Sequence, residues 1–118
     1  MTTPRRRKAA TKATEPVLGA GTWVVLPTYN EAENIRTISP AILAALPGAT
    51  LLVVDDGSPD GTGDIADELA AGDSRIRVHH RREKQGLGRA YLDGFRVALA
   101  SGAEIVMQMD ADLSLIHI

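Results

Sequence analysis

Leu51-Leu52-Val53-Val54-Asp55-Asp56-Gly57-Ser58-Pro59-Asp60-Gly61-Thr62 decides the fold. An apolar run enters an acid pair, passes through turn residues and opens into a helical pattern. A continuous apolar run this short suits a strand covered on both faces. Ser-Pro-Asp-Gly is good turn chemistry, and Asp60 or Thr62 can cap the helix that follows.

The same grammar repeats outward from this stretch. Thr22–Pro27 and Glu104–Met109 read as apolar strands, and Arg75–His79 as a weaker, alternating one. Glu31–Leu46 places Ile35, Ile38, Ile42 and Leu46 near helical spacing, with Pro40 expected to kink or split the helix. Thr62–Ala71 and Leu87–Ala100 are amphipathic as well, the second through Leu87, Tyr91, Phe95, Ala98 and Leu99. The order β-α-β-α-β-α-β argues for an α/β fold on a mostly parallel sheet with right-handed crossovers. The chain ends nine residues after Met109. A last strand without a following helix is expected to leave an apolar face and an open edge.

Composition narrows the class. The chain has 118 residues and no cysteine, with 44% apolar residues. This excludes a disulfide scaffold and a thiolate metal site and speaks against a disordered chain. No run is long enough for a transmembrane helix. Arg5, Arg6, Arg7, Lys8 and Lys12 stand in an acid-free start, which leaves eight basic and fifteen acidic side chains for the rest. Residues 1–20 are therefore expected to be a disordered basic arm, with attraction to anionic lipid as the sharper reading. No nucleic-acid partner is expected for the acidic remainder.

Ligands of open α/β sheets bind beyond the carboxyl ends of the strands. Those ends carry Pro27-Thr28-Tyr29-Asn30-Glu31, Asp55-Asp56, Lys84-Gln85-Gly86-Leu87-Gly88 and Asp110-Ala111-Asp112. Asp110 and Asp112 can share a hard divalent cation, Mg²⁺ or Mn²⁺, with phosphate oxygens and water. Asp-x-Asp alone is equally a turn motif; its place after an apolar strand favours the cation, which relieves repulsion between the acids. Asp56 is poorly explained as a turn residue and suits hydrogen bonds from a base or ribose. Tyr29 can stack on a base or serve as core, and Glu31 suits the start of a helix. Gly86-x-Gly88 lacks the third glycine of a dinucleotide fingerprint and reads as a tight turn near a helix N-terminus that could help hold an anion. His79 and His80 carry no assigned role. There is no phosphate-loop motif, no nucleophile elbow and no His-x-x-x-His pair. A receiver-type signalling domain or an aspartate-based phosphatase would need its acid pair after the first strand.

Taken together, Val25-Leu26-Pro27-Thr28-Tyr29-Asn30-Glu31, Asp55-Asp56-Gly57-Ser58-Pro59-Asp60-Gly61-Thr62, Gly86-Leu87-Gly88-x-Ala90-Tyr91-x-x-Gly94 and Met109-Asp110-Ala111-Asp112-Leu113-Ser114 resemble the family 2 glycosyltransferases. Within that family they look like the dolichyl- and polyprenyl-phosphate mannose synthases. The resemblance covers residues 21–114 and implies a GT-A-type, Rossmann-like nucleotide-sugar fold, with the first strand between the second and the fourth. It implies inverting transfer of mannose from GDP-mannose to a dolichyl or polyprenyl phosphate, with Mg²⁺ or Mn²⁺, by a protein peripheral at the cytoplasmic face of a membrane. The resemblance puts Pro27, Tyr29, Glu31, Val54 and Asp56 around the nucleotide, and Asp110, Ala111 and Asp112 at the diphosphate and metal. Alternatives are a related enzyme using UDP-glucose or another nucleotide sugar, and a nucleotide-binding fragment without catalysis. Residues 115–118, Leu-Ile-His-Ile, depart from the family pattern and are expected to be a truncation artefact.

Overall fold

The computed structural model describes residues 17–82 and 86–111. Strand β1 (Thr22–Thr28) leads to helix α1 (Ala32–Ala45), β2 (Thr50–Asp55), α2 (Thr62–Gly72), β3 (Ile76–His80), α3 (Leu87–Ala100) and β4 (Ile105–Gln108). The sheet order is β3-β2-β1-β4 and every pairing is parallel. The α/β class and the place of β1 between β2 and β4 are as the sequence implies. Residues Val17–Ala20 form a turn in which the Leu18 carbonyl accepts the Gly48 N–H.

The central strands alternate their side chains between two cores, as the period of two requires. Val24, Leu26, Leu51 and Val53 face α1 and α2, where they meet Ile35, Ile38, Ile42, Leu43 and Ala66. Trp23, Val25, Leu52 and Val54 face α3, where they meet Ala90 and Ala98. Burial on both sides explains why these strands read as continuous apolar runs.

Helix α1 is not divided at Pro40. Ile35 and Ile38 before the proline and Ile42 and Leu43 after it are buried in one cluster, which holds both halves on the sheet. Pro27 lies within β1, as the apolar run implies, opposite Val54 of β2, and the strand runs one residue further to Thr28. A proline in a central strand removes a ladder hydrogen bond. By strand alternation Pro27, like Val25, faces the β4 side. The last bond there is Met109 N–H to the Val25 carbonyl, so Pro27 lies past the point where a donor is needed.

Among the described residues, strand β4 is covered on one face only. Met107 pairs with Val24 and Ile105 with Thr22, on the α1–α2 side of the sheet. Ile105 and Met107 nevertheless remain exposed there, because α1 and α2 cover the other strands. Val106 points the other way and packs beside α3.

Close approach of α3 depends on Gly94. A Cβ at this position would stand 2.4 Å from a Val25 methyl and 3.1 Å from one of Val54. Gly94→Ala is therefore expected to lower the unfolding free energy by about 1–3 kcal/mol through overpacking, read as a shifted urea midpoint.

Candidate nucleotide-sugar site

The loops after β1 and β2 are built as one unit. Asp55 ends β2 and is buried; its carboxylate accepts Thr28 Oγ1–H at 2.9 Å, Ser58 N–H at 3.0 Å and Ser58 Oγ–H at 2.6 Å. Those bonds satisfy a carboxylate removed from water. They also fix Ser58 where its Oγ accepts the Asn30 N–H at 2.9 Å. Asn30 takes φ 58°, a left-handed conformation that asparagine tolerates better than most residues. The next two N–H groups continue the seam. Glu31 N–H donates to Thr62 Oγ1 at 3.0 Å, and Ala32 N–H donates to Asp60 Oδ2 at 3.2 Å.

Asp60 thus serves two helix starts. Its Oδ1 accepts the Thr62 N–H at 3.0 Å and the Thr62 hydroxyl, while Oδ2 accepts the first N–H of α1. Hydrogen bonding from the Thr62 side chain, aided by the backbone donors, holds its carboxyl below the usual 3.8 despite some desolvation. Ser58, Asp60 and Thr62 are accordingly architecture. Their bonds tie together the loops that carry Tyr29, which is half-buried, and Asp56, which is buried.

Asp56 is set apart from its neighbour. It is 1% exposed, and its carboxylate meets Arg81 Nε at 3.3 Å and the Gly86 N–H at 3.2 Å. The Arg81 side chain is 6% exposed and reaches Asp93 of α3 at 3.5 Å. The N–H that opens α3 therefore faces the protein's own acid. Asp110, beyond β4, is half-buried, and its Oδ1 accepts the Tyr91 hydroxyl at 2.5 Å.

The remaining expected residues divide between rim and core. Tyr29 is half-buried after β1. Glu31 stands at the N-cap of α1, where its Oε1 accepts the Asn34 amide at 2.9 Å. Val54 and Ala111 are buried in the two apolar cores, so neither offers a polar group from its side chain. Asp112, Lys84 and Gln85 lie outside the described residues. Among the described residues no group of three or more His, Asp or Glu side chains surrounds a common point. A groove of about 500 Å³ lies between α1 and α2 near Leu43, Leu69 and Ile76, away from these acids.

The family model for glycosyl transferase family 2 matches residues 23–116. The chain belongs to glycosyl transferase family 2. It is 53% identical over 92 residues to a polyprenol monophosphomannose synthase of Mycolicibacterium smegmatis, covering 77% of this chain and 35% of the relative. It is 49% identical over 88 residues to an undecaprenyl-phosphate mannosyltransferase of Micrococcus luteus, covering 75% and 36%. A similar solved structure is the mannosyltransferase PcManGT from Pyrobaculum calidifontis in complex with GDP-Man and Mn²⁺. It has a TM-score of 0.68 and 26% identity over 85% of this chain and 32% of that one. The fold is thus of the GT-A type, and the chain spans about a third of the length of the relatives it matches.

Sequence reasoning on this family 2 chain did not find Arg81, and gave Tyr91 a place on a helix face and in a family motif but no role. An arginine directly after a strand, at the edge where the acids collect, was the available signal for Arg81. For Tyr91 the signal was a hydroxyl on an otherwise apolar stripe. His80, given no role from sequence, pairs with Asp67 at 2.8 Å on the surface.

Asp60→Ala would leave two helix-start N–H groups without their acceptor and should cost about 1 kcal/mol at neutral pH. Because the folded carboxyl is held below 3.8, its stabilisation is present above that value. It is lost as pH falls through the lowered folded value. Urea titrations of wild type and variant should therefore differ at neutral pH and converge on acidification.

Proposed function

We propose that this chain carries the nucleotide-sugar half of an inverting mannosyltransferase that moves mannose from GDP-mannose to a polyprenyl or dolichyl phosphate. The observation that carries the reading is the placement of Asp56 and Asp110 beyond β2 and β4, the two strands that flank β1. The strands that these acids follow lie two strand spacings apart, roughly 10 Å, and in this reading the nucleotide sugar bridges the two ends. The names of the two relatives support the lipid phosphate, and the complex of PcManGT with GDP-Man and Mn²⁺ supports the donor and the metal.

In this reading Asp56 accepts hydrogen bonds from the guanosine, with Arg81 and Gly86 holding its carboxylate still. Tyr29 and Pro27 line the side of β1, Glu31 stands at the start of α1, and Val54 supports the floor from the core. Asp110 and Asp112 would hold the diphosphate and its cation, with Ala111 between them in sequence. The donor set fits Mg²⁺ or Mn²⁺: carboxylate oxygens are hard ligands, and Asp110 has a second oxygen beside the one that Tyr91 occupies. Such a cation, when bound, neutralises charge on the departing GDP. The acceptor phosphate oxygen forms the new bond to the anomeric carbon as the bond to GDP breaks on the opposite face. That oxygen is already anionic, so no strong general base is needed.

A lipid acceptor places the enzyme at a membrane surface, and we propose the cytoplasmic face, where the basic residues near the start of the chain would meet anionic lipid. No helix among the described residues is long and apolar enough to cross a membrane.

Calorimetry on the full-length chain tests this reading. GDP-mannose should bind more tightly with Mn²⁺ than with chelator, and UDP-glucose should bind weakly. Asp112→Asn should abolish the metal-dependent gain. Asp56→Asn, which keeps the shape beside Arg81, should weaken nucleotide binding about tenfold with or without metal, from the loss of a charge-assisted hydrogen bond. Equal affinity with and without chelator would remove the metal from the account.

A further inference from the structure

We infer that Tyr91 is a positioning residue for Asp110, and that α3 aligns the two ends of the nucleotide-sugar site through its first turns. The inference rests on the reading that Asp110 faces the cation. Tyr91 has one hydroxyl proton, and among the described residues its hydroxyl meets Asp110 Oδ1 at 2.5 Å and the Met109 carbonyl at 3.3 Å. The shorter bond goes to the charged acceptor, which also forms the stronger bond. With Oδ1 engaged in this way, the side-chain torsions of Asp110 are fixed and Oδ2 is left to ligate. A metal ligand held by an outer hydrogen bond loses less freedom when the ion arrives.

The ring that presents this hydroxyl is itself anchored. Tyr91 packs against the α3 core of Trp23, Val25, Leu52 and Val54, and its ring centroid lies 6.2 Å from that of Phe95. Gly94, three residues on, brings the helix into contact with Val25 and Val54. The same helix has Gly86 as its N-cap, whose N–H is bonded to Asp56. One rigid element therefore touches the acid proposed for the base through a backbone donor and the acid proposed for the metal through a phenol.

A purely structural Tyr91 would tie down the loop after β4 through the Met109 carbonyl and have no bearing on ion affinity. Mn²⁺ binding separates the two. The full-length chain is titrated with Mn²⁺ in the presence of GDP, and free Mn²⁺ is followed by electron paramagnetic resonance. GDP affinity is measured separately in chelator, and melting temperature is recorded for each variant. Tyr91→Phe should weaken Mn²⁺ binding about tenfold or more while GDP affinity in chelator stays within about twofold. Asp110→Ala should lose Mn²⁺ binding, and adding Tyr91→Phe to it should cost nothing further. Wild-type Mn²⁺ affinity in Tyr91→Phe, alongside its loss in Asp110→Ala, overturns the positioning role alone. Wild-type affinity in Asp110→Ala overturns the metal reading of Asp110, and the role of Tyr91 with it.

Discussion

Asp55 is a carboxylate 4% exposed at the end of a central strand, and the arrangement of the site follows from satisfying it. A buried acid without partners is costly, so the chain must supply donors at its oxygens. Thr28 supplies one from the end of β1, and Ser58 supplies two from the following turn. These bonds lock two strand ends together and pull Ser58 under Asn30. Gly63 is constrained by the same group, since a Cβ there would stand 3.2 Å from Asp55 Oδ2. From that joint the loops after β1 and β2 are laid as a seam, donor against acceptor, and the rim of the site is their upper edge.

Adjacent residues with the same side chain consequently do different work. Asp55 turns inward and binds the protein to itself. Asp56 lies beyond the ladder, next to a buried arginine side chain and the opening N–H of α3. Ser58, Asp60 and Thr62, which give the turn its recognisable sequence, have their hydrogen bonds to neighbouring backbone and to each other. A motif that points to a family need not be a list of groups that touch its substrate. Val54 and Ala111 make the same point from the apolar side, because both are committed to core.

The sheet, its parallel pairing and the extent of α3 were legible in the sequence because each is written in local periodicity. Strands buried on both faces announce themselves as apolar runs, and the turn residues mark their ends. What local pattern misses is pairing between distant residues. Arg81 and Asp56 are remote in sequence, as are Tyr91 and Asp110, and nothing at either position names its partner. Pro40 does not split α1, for a related reason. Its intrinsic effect is local, whereas the burial of Ile35, Ile38, Ile42 and Leu43 that keeps α1 in one piece is tertiary. Asp60 could be read as a helix cap from sequence, but its service to α1 as well as α2 requires the two loops to meet.

The central claim is that the carboxyl edge of this sheet holds a nucleotide sugar between Asp56 and a cation at Asp110. The most direct measurement is a diffraction study of the full-length chain with GDP-mannose and Mn²⁺, using the anomalous signal of manganese to locate the ion. A manganese peak in ligating contact with Asp110, with the guanine ring against Asp56, is the expected result. Manganese away from Asp110, or a guanine ring seated elsewhere on the sheet, would contradict it.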